Sequence, residues 1–190
     1  MIKLPKLLTV FAMIVLFPIS AEAKETYIPI LVPITGFLSL EGTAQRNGAI
    51  QALDEASSSL KIKYEVSDTS TSPEIAVTAL QRALSRGKPM AIAAPIFGTQ
   101  MLAMLPIAKR AGVPLITVSG TAKLTELDNP FIFRFFPGDA VVKVAHARYV
   151  TEVLRAKRPA LLYQTTAYGC LLYTSPSPRD RTRSRMPSSA

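Results

Sequence analysis

Cysteine and histidine are almost missing from this chain of 190 residues, which holds one of each. Cys170 falls in a terminal stretch of different character, so the rest has no disulfide, no thiolate nucleophile and no thiolate metal site. His146 sits among valine and alanine on an expected helix. It lacks the partners that a catalytic triad or an imidazole metal site requires, and reads as a packed or surface histidine. Gly36, Gly42 and Gly48 are spaced too widely for a dinucleotide fingerprint, and no P-loop is present. The carboxylates Asp54, Glu55, Asp68 and Asp128 show no pairing suited to acid–base catalysis. No enzyme, no metal and no cofactor is expected from these residues.

Long hydrophobic runs are also scarce. The one at the start, Leu7–Phe17, follows Lys3 and Lys6 and precedes Pro18 and Ala21-Glu22-Ala23. This three-part pattern predicts a signal peptide over residues 1–23, cleaved after Ala23, and hence a periplasmic or secreted protein. A run of eleven residues is too short to span a bilayer. No cysteine follows the run, so a lipidated lipoprotein is not expected.

At the other end, residues 170–190 read CLLYTSPSPRDRTRSRMPSSA, rich in serine, proline and arginine and without periodicity after Tyr173. That composition suits a disordered basic tail able to touch nucleic acid or an acidic surface. A sharper reading is that CLLYTSPSPRD resembles translated transposase-end and adapter sequence from library preparation, so the tail is expected to be non-native, with the genuine frame ending near Gly169. The leader contributes +1 and the tail +3 to the formal charge of +9, leaving +5 on residues 24–169. Those basic residues are scattered, whereas a nucleic-acid face needs a concentrated patch, so no nucleic-acid partner is expected.

Between the two ends, apolar strands alternate with helical stripes. Tyr27–Ile34 predicts the first strand, Thr35–Gly42 a loop, and Thr43–Ala56 a helix with Ala49, Ala52, Leu53 and Ala56 on one face. Leu60–Val66 predicts a second strand finishing at Asp68. Ser72-Pro73-Glu74 marks a helix start, and Ala76, Ala79, Leu80 and Ala83 give its apolar face. Met90–Pro95 and Leu115–Val118 predict strands three and four, near-continuous apolar runs suited to burial on both faces. Between them lies a helix with Met101, Met104, Leu105 and Ala108 as its stripe, interrupted by Pro106 and closed at Gly112. Phe131–Phe135 is expected to be extended and to lead out of the layer. Val142, Ala145, Tyr149 and Val153 predict a further helix begun near Asp139, and Ala160–Tyr163 another strand. The alternation predicts an α/β, doubly wound parallel sheet.

In such a sheet, Gly98-Thr99 and Ser119-Gly120-Thr121 lie side by side beyond the carboxyl ends of two strands, where open α/β sheets bind ligands. Unpaired N–H groups at the helix start, with the helix dipole, favour an anion such as a carboxylate. Thr99, Ser119 and Thr121 add hydroxyls that donate and accept. The same residues are equally compatible with Thr99 as a plain N-cap and Ser119-Gly120-Thr121 as an ordinary turn.

Several motifs then occur in order: Thr35-Gly36 with Gly42 through Asn47-Gly48-Ala49; Ala94-Pro95-Ile96-Phe97-Gly98; Gly112-Val113-Pro114-Leu115-Ile116 followed by Gly120-Thr121 and Leu124-Thr125; Phe133-Arg134 with Pro137 and Asp139; and Tyr168-Gly169. Together they resemble the leucine/isoleucine/valine-binding protein family, periplasmic receptors of ABC transporters with the type I two-lobed fold. The resemblance implies a first ligand-binding lobe over residues 24–138 and the truncated start of a second over 139–169. It implies that Gly98 and Thr121 meet the ligand's carboxylate and ammonium, with Ser119 and Gly120 in the same pocket and Tyr168 reaching in from the second lobe. It also implies an amino acid or similar small molecule as ligand and a membrane permease as partner. Gly98 stands where the family usually has serine, Glu41 where some members have an aromatic, and Phe37 where proline is usual, so a polar amino acid, an amide or another small organic acid fits as well as a branched-chain one. Two alternatives remain: a sensory receptor domain using the same lobes, and a secreted α/β enzyme with its catalytic residues elsewhere.

Overall fold

The computed structural model describes residues 25–160, 162 and 164–169. The expected signal peptide, the tail and part of the strand expected at Ala160–Tyr163 lie outside them.

The chain begins with β1 (Thr26–Val32), α1 (Ser39–Ala56), β2 (Ile62–Asp68) and α2 (Pro73–Ser85). It continues with β3 (Ile92–Ala93), α3 (Gly98–Ala111), β4 (Leu115–Thr117), α4 (Lys123–Glu126), β5 (Ile132–Arg134) and α5 (Asp139–Arg148), and α5 runs into a π-turn at Tyr149–Val153. The strands form one sheet in the order β2-β1-β3-β4-β5. All four pairings are parallel. One crossover, from β1 to β2, runs to one side of β1, and the following ones run back past it to β3, β4 and β5 on the other, which is the doubly wound arrangement.

The core lies between the sheet and the helix pair α2 and α3. Ala76, Ala79, Leu80 and Ala83 of α2 are buried, as the spacing predicts, against Met101, Met104, Leu105 and Ala108 of α3. Leu31, Ile92 and Leu115 supply the sheet's side of this cluster. Each fully buried Leu, Ile or Met side chain contributes about 1.5–3 kcal/mol through the area it removes from water. Ser72 caps α2, its hydroxyl accepting from the Ile75 N–H at 3.3 Å. Helix α3 ends at Gly112, whose φ of 63° is a left-handed conformation that glycine adopts without a Cβ clash. Pro106 lies inside α3 on its exposed side, and the helix continues through it.

Several expectations are corrected. Helix α1 starts at Ser39, inside the expected loop, because Gly42 lets the helix backbone lie against Pro33: a Cβ there would stand 1.8 Å from the Pro33 carbonyl oxygen. Its apolar face is only partly covered, Ala49, Leu53 and Ala56 being half-buried, Ala52 exposed and Gly42 alone fully buried. Strand β3 shrinks to two residues, and Met90 is exposed. Phe131–Phe135 does not lead out of the layer, for Ile132–Arg134 pairs with β4 as the edge strand. Burial of β4 on both faces fails as well. Leu115 is fully buried, but Ile116 and its register partner Phe133 are 41% and 47% exposed on the opposite face. The stripe on α5 is not packed either, Ala145, Tyr149 and Val153 all being exposed. His146 is exposed on the same helix.

Candidate functional site

The structure brings all six sequence-predicted site residues to one end of the sheet. Helix α3 starts with Gly98, and its N-cap is Phe97, which offers no side-chain acceptor to the first turn. Thr99 is therefore not the N-cap. The first-turn N–H groups keep no side-chain partner, and a helix start in that state favours negative charge.

Gly98 is buried against the turn that follows β4. A Cβ at Gly98 would come within 1.8 Å of the Thr121 hydroxyl oxygen and 3.2 Å of the Tyr168 ring. Thr121 thus occupies the space that a side chain at 98 would need. The Ser119 and Thr121 hydroxyls share a hydrogen bond of 3.2 Å, and both residues are 1% exposed. Thr117, at the end of β4, holds the approach: its hydroxyl donates to the Pro95 carbonyl at 2.8 Å and accepts from the Ser119 N–H at 3.0 Å. The turn is therefore braced on its neighbours, which is more than an isolated reverse turn requires.

Tyr168 arrives from far along the chain. Its backbone N–H donates to the Thr99 hydroxyl at 3.2 Å, and its phenol lies 3.5 Å from Asp139 Oδ1. Its ring meets Phe97 edge-on at 6.5 Å between centroids, and Phe97 meets Phe37 in the same manner at 5.3 Å. A row of three aromatic rings borders the rim, and edge-to-face contacts of this kind suit the ring quadrupoles. Phe37 is exposed, so one end of the row is open to solvent.

Sequence reasoning missed two residues here. Asp139, at the start of α5, is buried, donates its backbone N–H to the Gly120 carbonyl at 2.7 Å, and sets its carboxylate where a Cβ on Gly120 would stand 2.4 Å away. Burial pushes its carboxyl above the usual carboxylate range, opposed by Lys143, the Tyr168 hydroxyl and Arg134. Burial likewise raises the Tyr168 phenol, with the Asp139 charge adding to it, and lowers Lys143 against the pull of Asp139 and Glu126. Arg134, on β5, donates to the Thr121 carbonyl at 3.1 Å and to the Thr125 hydroxyl at 3.2 Å. The signal for both lay in the Phe133-Arg134 and Pro137–Asp139 segment, which the sequence marks only as a motif.

A second polar cluster ties the neighbouring loops. The Asp68 carboxylate accepts from Ile34 N–H, Thr35 N–H, the Thr35 hydroxyl and Ser70 N–H at 2.5–3.1 Å. Burial alone would raise its pKa, but these hydrogen bonds outweigh burial and hold it at about 2. Ser70 and Thr71 take left-handed φ values of 47° and 55°, which cost non-glycine residues energy and are kept here by the surrounding bonds. Gln100, fully buried in the first turn of α3, donates to the Thr69 and Ser72 carbonyls. Among the described residues no group of three or more His, Cys, Asp or Glu is arranged to hold a metal ion, and no described helix is long and apolar enough to cross a membrane.

Comparison with known proteins places this arrangement. A family model described as "Periplasmic binding protein" matches residues 25–175. An amino acid binding protein of Pseudomonas aeruginosa is 25% identical over 151 residues, covering 76% of this chain and 40% of that protein. Among solved structures, the leucine binding protein LivK of Thermotoga maritima superposes with a TM-score of 0.73 at 26% identity, over 78% of this chain and 43% of its own. LivJ of Streptococcus pneumoniae, a branched-chain amino acid transporter substrate binding protein solved with isoleucine, gives 0.64 at 26% identity, over 70% and 40%. The chain thus spans about two fifths of the length of the relatives it matches. Its five-stranded parallel sheet with flanking helices is one lobe of the type I periplasmic binding fold.

Proposed function

The chain belongs to the periplasmic binding protein family, and from that premise we propose that it supplies one jaw of an extracytoplasmic receptor for an amino acid or similar small molecule. Residues 24–138 form the first lobe in this reading, and 139–169 begin the second. The observation that carries it is the start of α3, with no side-chain cap and faced by Thr121 and Tyr168. A carboxylate seated there would accept from the first-turn N–H groups, with no cationic side chain required. The Thr99, Ser119 and Thr121 hydroxyls orient the polar end of the ligand, and Asp139 offers negative charge to an ammonium group. The aromatic row of Phe37, Phe97 and Tyr168 meets an apolar part.

A membrane permease is the partner this role implies, and export by the leader is what it requires. Such a receptor closes two lobes over its ligand by a hinge. One jaw alone makes only part of the contacts, so the chain itself binds weakly or not at all, and the protein it represents binds tightly. Calorimetric titration of this chain and of the full-length reading frame with the common amino acids tests both statements. Tight binding to the full-length protein with little heat from this chain is the expected result. Submicromolar binding to the chain alone would show that the second lobe is dispensable, and no binding to either would remove the amino-acid reading.

A further inference from the structure

The rim depends on a short stretch, Ala94–Phe97, that the sheet does not hold by itself. Strand β1 pairs with β3 only at Ile30 and Ala93. Carried forward in the same register, the N–H at position 33 would serve the Pro95 carbonyl, and Pro33 has none to give. Beyond Pro33 the β1 chain turns away, and Ile34 and Thr35 send their N–H groups to Asp68 on the β2 side. On the β4 flank, which Ala94 faces through its N–H, no backbone bond among the described residues carries the ladder on to the Ala94 carbonyl or the Ile96 N–H. Backbone polar groups in a half-buried position need partners, and leaving one unmatched costs about 1–3 kcal/mol.

Helix α1 supplies them. Gln45 donates its side-chain N–H to the Ala94 carbonyl at 2.6 Å and accepts the Ile96 N–H at its amide oxygen at 3.1 Å. One amide thus makes the two bonds that a neighbouring strand would make. Gly42, one turn earlier on the same face, is what brings the helix close enough, since it packs directly on the Pro33 carbonyl. Ala94 N–H itself still bonds the Ile116 carbonyl at 2.8 Å, and the Thr117 hydroxyl donates to the Pro95 carbonyl that Pro33 leaves unserved.

We propose that Gln45 and Thr117 are positioning residues whose side chains continue the β-ladder past the ends of the strands, and so fix the segment that presents the start of α3 to a ligand. The last clause rests on the ligand-binding reading of that rim; the splint itself does not. Pre-organisation of this kind is what keeps a first layer of contacts in register.

The test is amide hydrogen exchange of the full chain, read residue by residue, with shift changes on adding millimolar L-isoleucine or L-glutamine. Four variants are compared: Gln45→Met, which keeps the shape and loses both bonds; Gln45→Glu, which keeps the acceptor; Thr117→Val; and Gln51→Met, on the exposed side of α1, as control. In Gln45→Met, exchange at Ile96 should rise by about tenfold or more while Ile30–Val32 stay protected. Gln45→Glu should restore part of the protection at Ile96, Thr117→Val should loosen Ser119, and Gln51→Met should change neither. Shifts at Gly98 and Thr99 on adding amino acid should shrink in Gln45→Met. Wild-type exchange at Ile96 in Gln45→Met overturns the splint. A splint confirmed by exchange, with wild-type shifts unaltered in the variants, overturns its role in positioning. Where the wild-type chain gives no shift, as its weak binding allows, the titration is read on the full-length reading frame with the same variants; no shift there counts against the ligand-binding reading alone, and exchange still decides the splint. A Gln45→Met chain that fails to fold leaves Gln45→Glu and Thr117→Val to decide it.

Discussion

Gly98 and Thr121 form the tightest pairing at the rim, and each constrains what the other can be. Because a Cβ at 98 would overlap the Thr121 hydroxyl, Gly98→Ser forces Thr121 to move and should destabilise the chain by about 1–3 kcal/mol in chemical denaturation. Combining it with Thr121→Ala should recover part of that loss, the non-additivity expected of residues in contact. Equal and additive losses would mean that the two side chains do not compete for one space. Asp139 leads to a prediction in pH. Its folded-state pKa is raised above the unfolded value, so its contribution is most favourable below the ordinary carboxylate range and is lost as pH rises through the folded value. Asp139→Asn keeps a polar group facing the Tyr168 hydroxyl and should stabilise the chain at neutral pH. That gain should vanish in acid, as thermal melts across pH would show; a constant difference at all pH values would contradict the burial argument.

At the scale of elements, the helices differ in how they are held. Helix α2 has local signals that agree with its packing: Ser72 as cap, Pro73 in the first turn and a buried alanine–leucine face. Ser72→Ala should cost about 1 kcal/mol, read as a lower denaturant midpoint, with Ser72→Asp close to wild type. Helix α1 only half-buries its apolar face and is placed as well by Gly42 on Pro33 and by Gln45 at the end of β3. Its start inside the expected loop follows from that contact, which no periodicity announces. Helix α3 combines a buried methionine–leucine stripe, legible in its spacing, with an unpartnered first turn that is visible only once Phe97 is known to be the N-cap.

For the whole molecule, the uneven covering of the sheet is the main feature. One face is filled by α2 and α3, whereas on the other face α1 lies over β1 and β2 and leaves Ile116 and Phe133 exposed side by side. Adjacent apolar side chains that the described residues leave exposed favour self-association. Phe133→Ser should therefore reduce concentration-dependent association in sedimentation velocity while moving the melting temperature little. A wild-type chain that stays monomeric at high concentration would contradict this.

The alternation of strands and helices, the parallel sheet, the faces of α2 and α3 and the Gly112 stop were all legible in the sequence, because each is a local periodicity or a backbone requirement within a few residues. The six rim residues were legible too, through their position at strand ends and through motifs in order. Only the tertiary structure brought Asp139 and Arg134 to that rim, seated β5 in the sheet and turned Gln45 into a partner for β3. The reason is distance along the chain. Tyr168 meets Thr99 across 69 residues and Asp139 across 29, and Gln45 meets Ile96 across 51. Hydrogen bonds of that span are set by how the layers pack, and local spacing carries no record of them.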